Sequence, residues 1–355
     1  MAKRANWGRR AKWALAGAIA VAISVSLAVS AGVWAAETSS HAGPLTVPPK
    51  DVSCTVGAAH RNPAYDPVNH YVYVPNPDSS NISVLKAPCT VVATISTPAG
   101  SEPGAAAFDP AANYVWVTDY ALNQVYVISG TTIIYTAVSA GLTYLDGPRA
   151  IAFDPGSPED LGCMIVANSL SNNVSVLCYE TESGFFGLGG YSTGSEPFAI
   201  AYDPVVNDLA VANYGSKSLT LLEPSDNDFQ PLIYAGNVSS GGSEPDGIAF
   251  DPTEGCLYIA NYGSNDVTQW CGVGESGTIK GFDEPTSVTW SQAKLAVYVT
   301  NWGSGGLWAV GGDFGNSIVQ KISSVPGIEG STYDSANNDL YVTNDDTNTV
   351  YVYST

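Results

Sequence analysis

Glutamate precedes proline at the same place in four units of a repeat, and these carboxylates are the first candidate groups for chemistry. They are Glu102, Glu196, Glu244 and Glu284, and Asp146 lies close to the same place in a fifth unit. Carboxylates gathered around one opening could bind a hard cation such as Ca²⁺. The alternative is a repeated turn whose glutamate accepts backbone hydrogen bonds. The turn is favoured, because a residue present in nearly every unit usually serves the repeat.

The residue after the proline position varies between units that are otherwise alike, so it is a better candidate for contact with a ligand. Along the chain it is Arg61, Gly104, Arg149, Phe198, Asp246, Thr286 and Glu329. Arginine, aromatic and acidic side chains together could define a ligand pocket. Unconstrained sequence variation at a solvent-exposed rim would produce the same mixture of residue types, and both interpretations stay open.

Aromatic residues form a third candidate set, each directly after the Asn or Asp that ends a predicted strand. They are Tyr120, Tyr214, Tyr262 and Trp302. Flat rings beside polar turns suit stacking on sugars, since they offer apolar area with a polar edge. Alternatively, each ring packs over the neighbouring turn.

The sequence supports catalysis weakly. Its histidines are His41, His60 and His70, of which the last two fall in the first repeat unit, so a multi-histidine metal centre is excluded. There is no Gly-x-Ser-x-Gly elbow, P-loop or Cys–His arrangement, and we predict no catalytic residue. With 33 acidic against 13 basic residues and a net charge of −20, a nucleic-acid partner is also excluded.

The elements that position these residues come from a repeat. An aromatic-Asp-Pro segment, or a weaker copy of it, recurs about every 45 residues, a period typical of propeller blades. The Asp position of this segment is occupied by Asp66, Asp109, Asp154, Asp203, Asp251, Ser291 and Asp334. Each unit is predicted to contain four short strands, A to D, with an Asp-Pro turn after strand A. The fold predicted is all-β, a seven-bladed propeller of four-stranded antiparallel blades.

The two chain ends predict how the ring closes. The last unit ends after its third strand, Thr349 to Tyr353, whereas Asp51 to Val56 is an extra strand with no blade of its own. We expect this N-terminal strand to complete the seventh blade, which protects both sheet edges.

Two segments, Tyr298-Val299-Thr300-Asn301 and Tyr341-Val342-Thr343-Asn344, copy the motif that names the YVTN β-propeller repeat family. Residues 51–355 resemble this family over their whole length. The resemblance implies a surface-layer or envelope protein, and similar propellers include lactonases and a streptogramin lyase. No catalytic motif of those enzymes can be carried over to this sequence.

The six cysteines predict three disulfides. Cys163 and Cys178 occupy the same places in their unit as Cys256 and Cys271 do in theirs, and an antiparallel B–C hairpin brings each pair face to face. By elimination Cys54 pairs with Cys89. A metal site is disfavoured because there is no Cys-x-x-Cys, and the even count favours an oxidising compartment.

The N-terminus reads as an export segment. Five basic residues precede Trp13 to Ala36, which carries no charge. Residues 1–36 are therefore predicted to be a signal peptide or an uncleaved membrane anchor, 37–50 a linker, and 51–355 the propeller. Either interpretation predicts an extracytoplasmic protein, secreted or on the cell surface, that meets a membrane only through this segment.

Two functional hypotheses follow. The first is a non-catalytic binding or structural module for a glycan, a polypeptide or an envelope component, with no cofactor except possible Ca²⁺. The second is an extracellular lyase or lactonase-like hydrolase with its site at the channel mouth, which requires Arg149, Asp246 and Glu329 to converge. Asn81, Asn173 and Asn237 lie in Asn-x-Ser sequences, which permit glycosylation without implying it.

Overall fold

The computed structural model describes residues 49–58, 62–137, 145–155, 163–180, 184–224, 232–272, 274–303, 306–311 and 319–355. The chain divides into Met1–His41 and Ala42–Thr355, and all described residues belong to the second unit. The predicted export segment and most of the linker lie outside the described residues. Within the described ranges no helix has the length and apolarity needed to cross a membrane.

Seven antiparallel sheets, each of four strands, account for nearly all of the regular structure. Strands are lettered A to D from the centre of a blade outward. Blades one to four contain β2 (Ala64–Asp66), β3 (Tyr71–Asn76), β4 (Asn81–Lys86), β5 (Thr90–Ser96); β6 (Pro103–Asp109), β7 (Tyr114–Asp119), β8 (Gln124–Ser129), β9 (Thr132–Thr136); β10 (Pro148–Asp154), β11 (Cys163–Asn168), β12 (Asn173–Glu180), β13 (Gly184–Ser192); β14 (Pro197–Asp203), β15 (Asp208–Asn213), β16 (Ser218–Pro224) and β17 (Leu232–Ser239).

The remaining three blades repeat the pattern, and a short 3-10 turn, Tyr262–Ser264, lies between strands B and C of blade five. Blades five to seven contain β18 (Pro245–Asp251), β19 (Cys256–Asn261), β20 (Asp266–Cys271), β21 (Gly274–Lys280); β22 (Pro285–Ser291), β23 (Ala296–Asn301), β24 (Gly306–Val310), β25 (Val319–Lys321); β26 (Ile328–Asp334), β27 (Asp339–Asn344), β28 (Thr349–Ser354) and β1 (Pro49–Thr55). This is the seven-bladed propeller that the repeat predicts.

The ring closes as the chain ends predicted. The innermost strands of successive blades contact one another in order, and β26 of blade seven contacts β2 of blade one. The N-terminal strand β1 runs antiparallel to β28, with Val52 opposite Val352 and Thr55 opposite Thr349. Blade seven therefore takes its outermost strand from the other end of the chain, which ties the two ends together.

The hydrophobic core lies between blades rather than inside any one of them. On β3, Tyr73 belongs to a core cluster that includes Val115 of blade two, whereas Val72 belongs to another that includes Tyr341 of blade seven. Both faces of strands B and C are thus buried, which explains why these strands are apolar at successive positions instead of alternating. Strand A faces the centre, where a channel cavity of about 150 Å³ is lined largely by alanine, glycine, serine and isoleucine.

A buried aspartate ends strand A in six blades and shapes the turn to strand B. In blade two, the Oδ1 atom of Asp109 accepts hydrogen bonds from the backbone N–H groups of Ala111 (2.9 Å) and Ala112 (3.1 Å). Burial raises the pKa of Asp109, and these hydrogen bonds oppose that rise. The same pair of bonds occurs at Asp66, Asp203, Asp251 and Asp334. The Asp-Pro signature of the sequence is therefore a turn signal, not a site.

All three expected disulfides are present. Cys163–Cys178 and Cys256–Cys271 join directly opposed residues of a B–C hairpin, each with a Cα–Cα distance of 4.2 Å. Cys54–Cys89 joins β1 to the turn before β5, with a Cα–Cα distance of 5.6 Å. Three disulfides and no free cysteine indicate an oxidising, extracytoplasmic environment.

Removing the disulfide at the seam of the ring should destabilise the protein more than removing one inside a hairpin. Cys54–Cys89 closes 35 residues of chain and Cys163–Cys178 closes 15, so the loop-closure contribution alone differs by roughly 0.8 kcal/mol. We expect C54A/C89A to lower the free energy of unfolding by about 2–4 kcal/mol. Urea denaturation measures it, with C163A/C178A as the matched control. An equal or smaller loss in C54A/C89A would contradict this assignment.

Candidate functional site

The D–A connections and the B–C turns meet on one face of the ring, around the opening of the channel, and we call this surface the mouth. In each of four blades, the backbone N–H of the aromatic residue after strand B donates to the carbonyl of the glutamate before strand A. The pairs are Tyr120–Glu102 (3.0 Å), Tyr214–Glu196 (2.8 Å), Tyr262–Glu244 (2.9 Å) and Trp302–Glu284 (2.8 Å). The glutamate and aromatic sets thus lie side by side at the mouth.

Strand A contains a β-bulge immediately after its first residue, and the bulge determines which side chains the mouth receives. In blade three, Pro148 pairs with Asn168 and Ala150 pairs with Ala167, so Arg149 is an extra residue with no partner opposite it in the sheet. The same shift makes Phe198, Asp246 and Thr286 the extra residues of blades four to six, and a related shift includes Gly104 in blade two and Glu329 in blade seven. Bulges commonly turn a side chain away from the sheet toward a site.

A threonine of strand B holds the bulge in three blades. The hydroxyl of Thr300 accepts a hydrogen bond from the backbone N–H of Ser287 (3.0 Å) and donates to the carbonyl of Glu329 in the next blade (2.6 Å). Thr118 and Thr343 accept the corresponding N–H in blades two and seven. This threonine is the third residue of the Tyr-Val-Thr-Asn motif, so the motif supports the strand that presents the candidate residues.

The variable residues and the aromatic residues converge on two adjoining cavities at the mouth. One is about 150 Å³ and the other about 230 Å³, and both are lined by Arg149, Phe198, Asp246, Thr286 and Glu329. The smaller cavity also contacts Tyr120 and Glu102, and the larger one contacts Tyr214, Tyr262 and Trp302. Blades two to seven each contribute at least one of these side chains. Arg61 lies outside the described residues.

Four cavity-lining residues fell outside the sequence-based sets, and one of them, Pro148, directly precedes Arg149. Asp345 follows Asn344, and Pro77 follows Asn76, which is the position that the aromatic residues occupy in other blades. Asn62 is the neighbour of the Arg61 position in blade one. Asp345 and Pro77 could have been found from their repeat position alone. They were missed because the candidate set was restricted to aromatic residues.

An arginine stack crosses the boundary of blades three and four. The guanidinium carbon of Arg149 lies 4.0 Å from the ring centroid of Phe198 and 5.6 Å from that of Tyr120. Phe198 in turn stacks on Tyr214, with centroids 4.5 Å apart and planes at 20°. A guanidinium and a ring cannot share one face at these distances, so both faces of Phe198 are covered. The stack orients Arg149 toward the cavity through cation–π contact.

Two of the aromatic residues after strand B interact with the next blade. The hydroxyl of Tyr214 in blade four donates to Oε2 of Glu244 in blade five (3.1 Å). Burial, then the negative charge of Glu284 in blade six, raises the pKa of Tyr262. Burial, then the hydrogen bond to Glu244, raises the pKa of Tyr214 to about 12. These contacts favour the packing alternative for Tyr214 and Tyr262, although both still line the cavity.

The glutamates before strand A divide into two groups. Glu244 and Glu284 are half-buried, whereas Glu102 and Glu196 are exposed. The expected acceptor role is present at Glu244, with the phenol of Tyr214 in the neighbouring blade in place of a backbone donor. Among the described residues, no three His, Cys, Asp or Glu side chains group closely enough to hold a metal ion. The calcium hypothesis stays a prediction.

The acidic groups at the cavities outnumber the basic ones. Glu102, Asp246, Glu329 and Asp345 contribute carboxylates, and Arg149 contributes a guanidinium. Glu329 is only 9% exposed, and its backbone carbonyl accepts hydrogen bonds from Thr286 (2.9 Å) and Thr300. Such a cavity offers hydrogen-bond acceptors, one planar donor group and aromatic surface, which together suit a neutral or cationic ligand rich in hydroxyl groups.

The model of the lactonase family, described as a seven-bladed β-propeller, matches residues 95–293, and the chain belongs to this family. This assignment agrees with the lactonase- and lyase-like part of the resemblance found in the sequence and is compatible with its YVTN label. None of the curated proteins matches the chain at a significant level.

Solved structures share the fold at low sequence identity. A catalytically inactive virginiamycin B lyase from Staphylococcus aureus with quinupristin has a TM-score of 0.68 and 15% identity, covering 86% of this chain and 98% of the lyase. A streptogramin B lyase has a TM-score of 0.67 and 12% identity, covering 85% and 96%. A chain of the mitotic checkpoint complex has a TM-score of 0.66 and 12% identity, covering 93% and 99%. At these identities the likeness shows the fold alone.

Replacing Tyr214 with phenylalanine should remove the bridge to blade five and lower the free energy of unfolding by about 1 kcal/mol at neutral pH. Because folding raises this pKa from 10.0 to about 12, the stability from neutral Tyr214 is complete below pH 10 and is lost as pH rises through 12. Denaturant unfolding at pH 7 and pH 12 measures the difference between Y214F and wild type. The exposed Tyr234 supplies the control Y234F, and a Y214F difference that persists at pH 12 would contradict the bridge.

Proposed function

We propose that this protein is an exported, non-catalytic binding propeller that holds a glycan over the mouth of its channel. The observation that carries the proposal is the convergence of bulge residues and aromatic residues from six blades on two adjoining cavities. The strands around these positions stay alike between repeats while the positions themselves vary. Such variable positions on a constant frame can determine which ligand a propeller binds. Surface display or secretion follows from the disulfides and from the charge pattern of the N-terminal segment.

The chemistry of the cavities supports a sugar ligand in three ways. Asp246 and Glu329 offer carboxylate acceptors for hydroxyl groups, and Arg149 offers N–H donors from a guanidinium whose plane is held by Phe198. Trp302 and Tyr262 add aromatic surface to the larger cavity. Phe198 contributes its ring edge only, since both of its faces are covered.

A glycan array probed with the purified, disulfide-bonded protein tests the proposal. Binding to a discrete set of glycans is the expected result, and the array is run with Ca²⁺ and with a chelator. Binding that needs Ca²⁺ would support the cation hypothesis for Glu102, Glu196, Glu244 and Glu284, and binding in both conditions would remove it. No binding to any glycan in either condition would overturn the glycan assignment.

Changing two mouth residues should weaken binding of the best array ligand at least tenfold, which corresponds to about 1.4 kcal/mol. Asp246→Asn removes a carboxylate from both cavities, and Arg149→Lys keeps the charge but loses the planar stack on Phe198. Isothermal titration calorimetry measures the affinity. The matched control is Glu223→Gln, an exposed carboxylate at the end of β16 away from the mouth. Unchanged affinity in both mouth variants would place the ligand elsewhere.

A second candidate function is hydrolysis of a lactone or a lyase reaction. It is favoured by membership of the lactonase family and by the presence of Arg149, Asp246 and Glu329 on the same cavity walls. Turnover of a panel of lactones and of a streptogramin B, assayed with wild type and D246N, decides between the two. Turnover that D246N abolishes, together with silence on the glycan array, would establish the enzyme instead of the binding module.

A further inference from the structure

The three Asn-x-Ser sequences fall into two structural classes. Asn81 and Asn173 are the first residues of strand C in blades one and three, whereas Asn237 lies in strand D of blade four. Strand C is an inner strand with sheet neighbours on both sides, and strand D is the outermost strand of its blade. The two classes therefore differ in how much room surrounds the asparagine amide.

In the first class, the residues of the Asn-x-Ser sequence take part in the hydrogen bonds that hold the B–C turn. The Nδ2 group of Asn168, the last residue of strand B, donates to Oδ1 of Asn173 (2.8 Å) and to Oγ of the buried Ser175 (2.9 Å). Both the asparagine and the serine of this Asn-x-Ser sequence are thus used inside the fold. Asn173 is itself partly buried and Ser175 is fully buried, so an enzyme cannot reach this Asn-x-Ser sequence in the folded chain.

The same network recurs whether or not the sequence reads Asn-x-Ser. In blade one Asn76 donates to Asn81 and Ser83, in blade four Asn213 donates to Ser218 and Thr220, and in blade five Asn261 donates to Asp266 and Thr268. Blades four and five keep the geometry with serine or aspartate at the first position. Asn81 and Asn173 are accordingly structural residues of the repeat.

Asn237 is different because its own side chain and that of Ser239 are both exposed. Its Oδ1 atom accepts a hydrogen bond from the hydroxyl of Thr220 (2.7 Å), so the carbonyl end of the amide faces the protein. A glycan attaches at the other end, through Nδ2. The outer side of β17 also has no sheet neighbour, which leaves the backbone around the Asn-x-Ser sequence accessible.

We propose that Asn237 is an N-linked glycosylation site and that Asn81 and Asn173 are not. In the transfer, a bond forms between Nδ2 of Asn237 and the anomeric carbon of a glycosyl diphosphate donor, and the bond from that carbon to the diphosphate oxygen breaks. The diphosphate leaves with the electron pair of that bond, and the one proton lost from Nδ2 passes to solvent. An oligosaccharyltransferase of the export pathway supplies the donor and the catalysis. The site is independent of the ligand at the mouth.

The position gives the modification a physical consequence. The strand that carries Asn237 also exposes Ile233 (45%) and Tyr234 (55%) on the edge of blade four. Exposed apolar edge strands are templates for pairing with another chain. A bulky, solvated glycan on β17 stands beside this edge and opposes such pairing.

Peptide mapping of the folded chain after secretion from yeast tests the proposal. Enzymatic release of N-glycans in heavy-oxygen water leaves a labelled aspartate wherever a glycan was attached, and mass spectrometry reads each position. We expect label at Asn237 and none at Asn81 or Asn173. Two variants give the matched control: S239A removes the required hydroxyl and should abolish the label, whereas S239T keeps a hydroxyl and should retain it.

Thermal unfolding of S239A and S239T confirms that both variants are folded before they are compared. Absence of label at Asn237 in the folded wild type, or label at Asn81 or Asn173 in that same folded fraction, would overturn the proposal. Label at Asn237 that survives in S239A would also overturn it, because the modification would then not follow the Asn-x-Ser sequence.

Discussion

The constraint on which the rest of this structure depends is the bulge at the start of the inner strand in blades two to seven. Seven strands must meet around one axis, so strand A carries mainly short side chains where it lines the channel, with isoleucine and valine the largest. A regular strand would alternate its side chains between the two neighbouring blades and leave none for the opening. The extra residue of the bulge escapes this alternation. Arg149, Phe198, Asp246 and Thr286 are those extra residues.

Hydrogen bonds hold the backbone at the bulge, so the variable residue at that place has a rigid position. Thr300 binds the backbone on one side of the bulge and reaches the next blade on the other. Tyr214 links blades four and five through Glu244. A side chain placed on such a frame loses little freedom when a ligand arrives, which favours recognition. Rigidity and variability therefore coexist within a few residues of each other.

The sequence predicted the fold well because the same physical requirement recurs seven times. The aspartate turn, the apolar strands B and C and the opposed cysteines each repeat in register. A strand assigned in one unit is therefore supported by the equivalent residues of another unit. The mouth was predicted less completely, since its contacts join residues of different units. No pattern within blade four shows that Phe198 is covered on one side by Arg149 and on the other by Tyr214. Asp345 was missed for a simpler reason: it fills an aromatic position with an acid.

The most direct test of the central claim is a crystal structure of the protein bound to its tightest glycan from the array. We expect sugar density at the mouth, in contact with the bulge residues of more than one blade and with the guanidinium of Arg149 still stacked on Phe198. Density confined to the outer strands or to the opposite face, with the mouth empty, would contradict it.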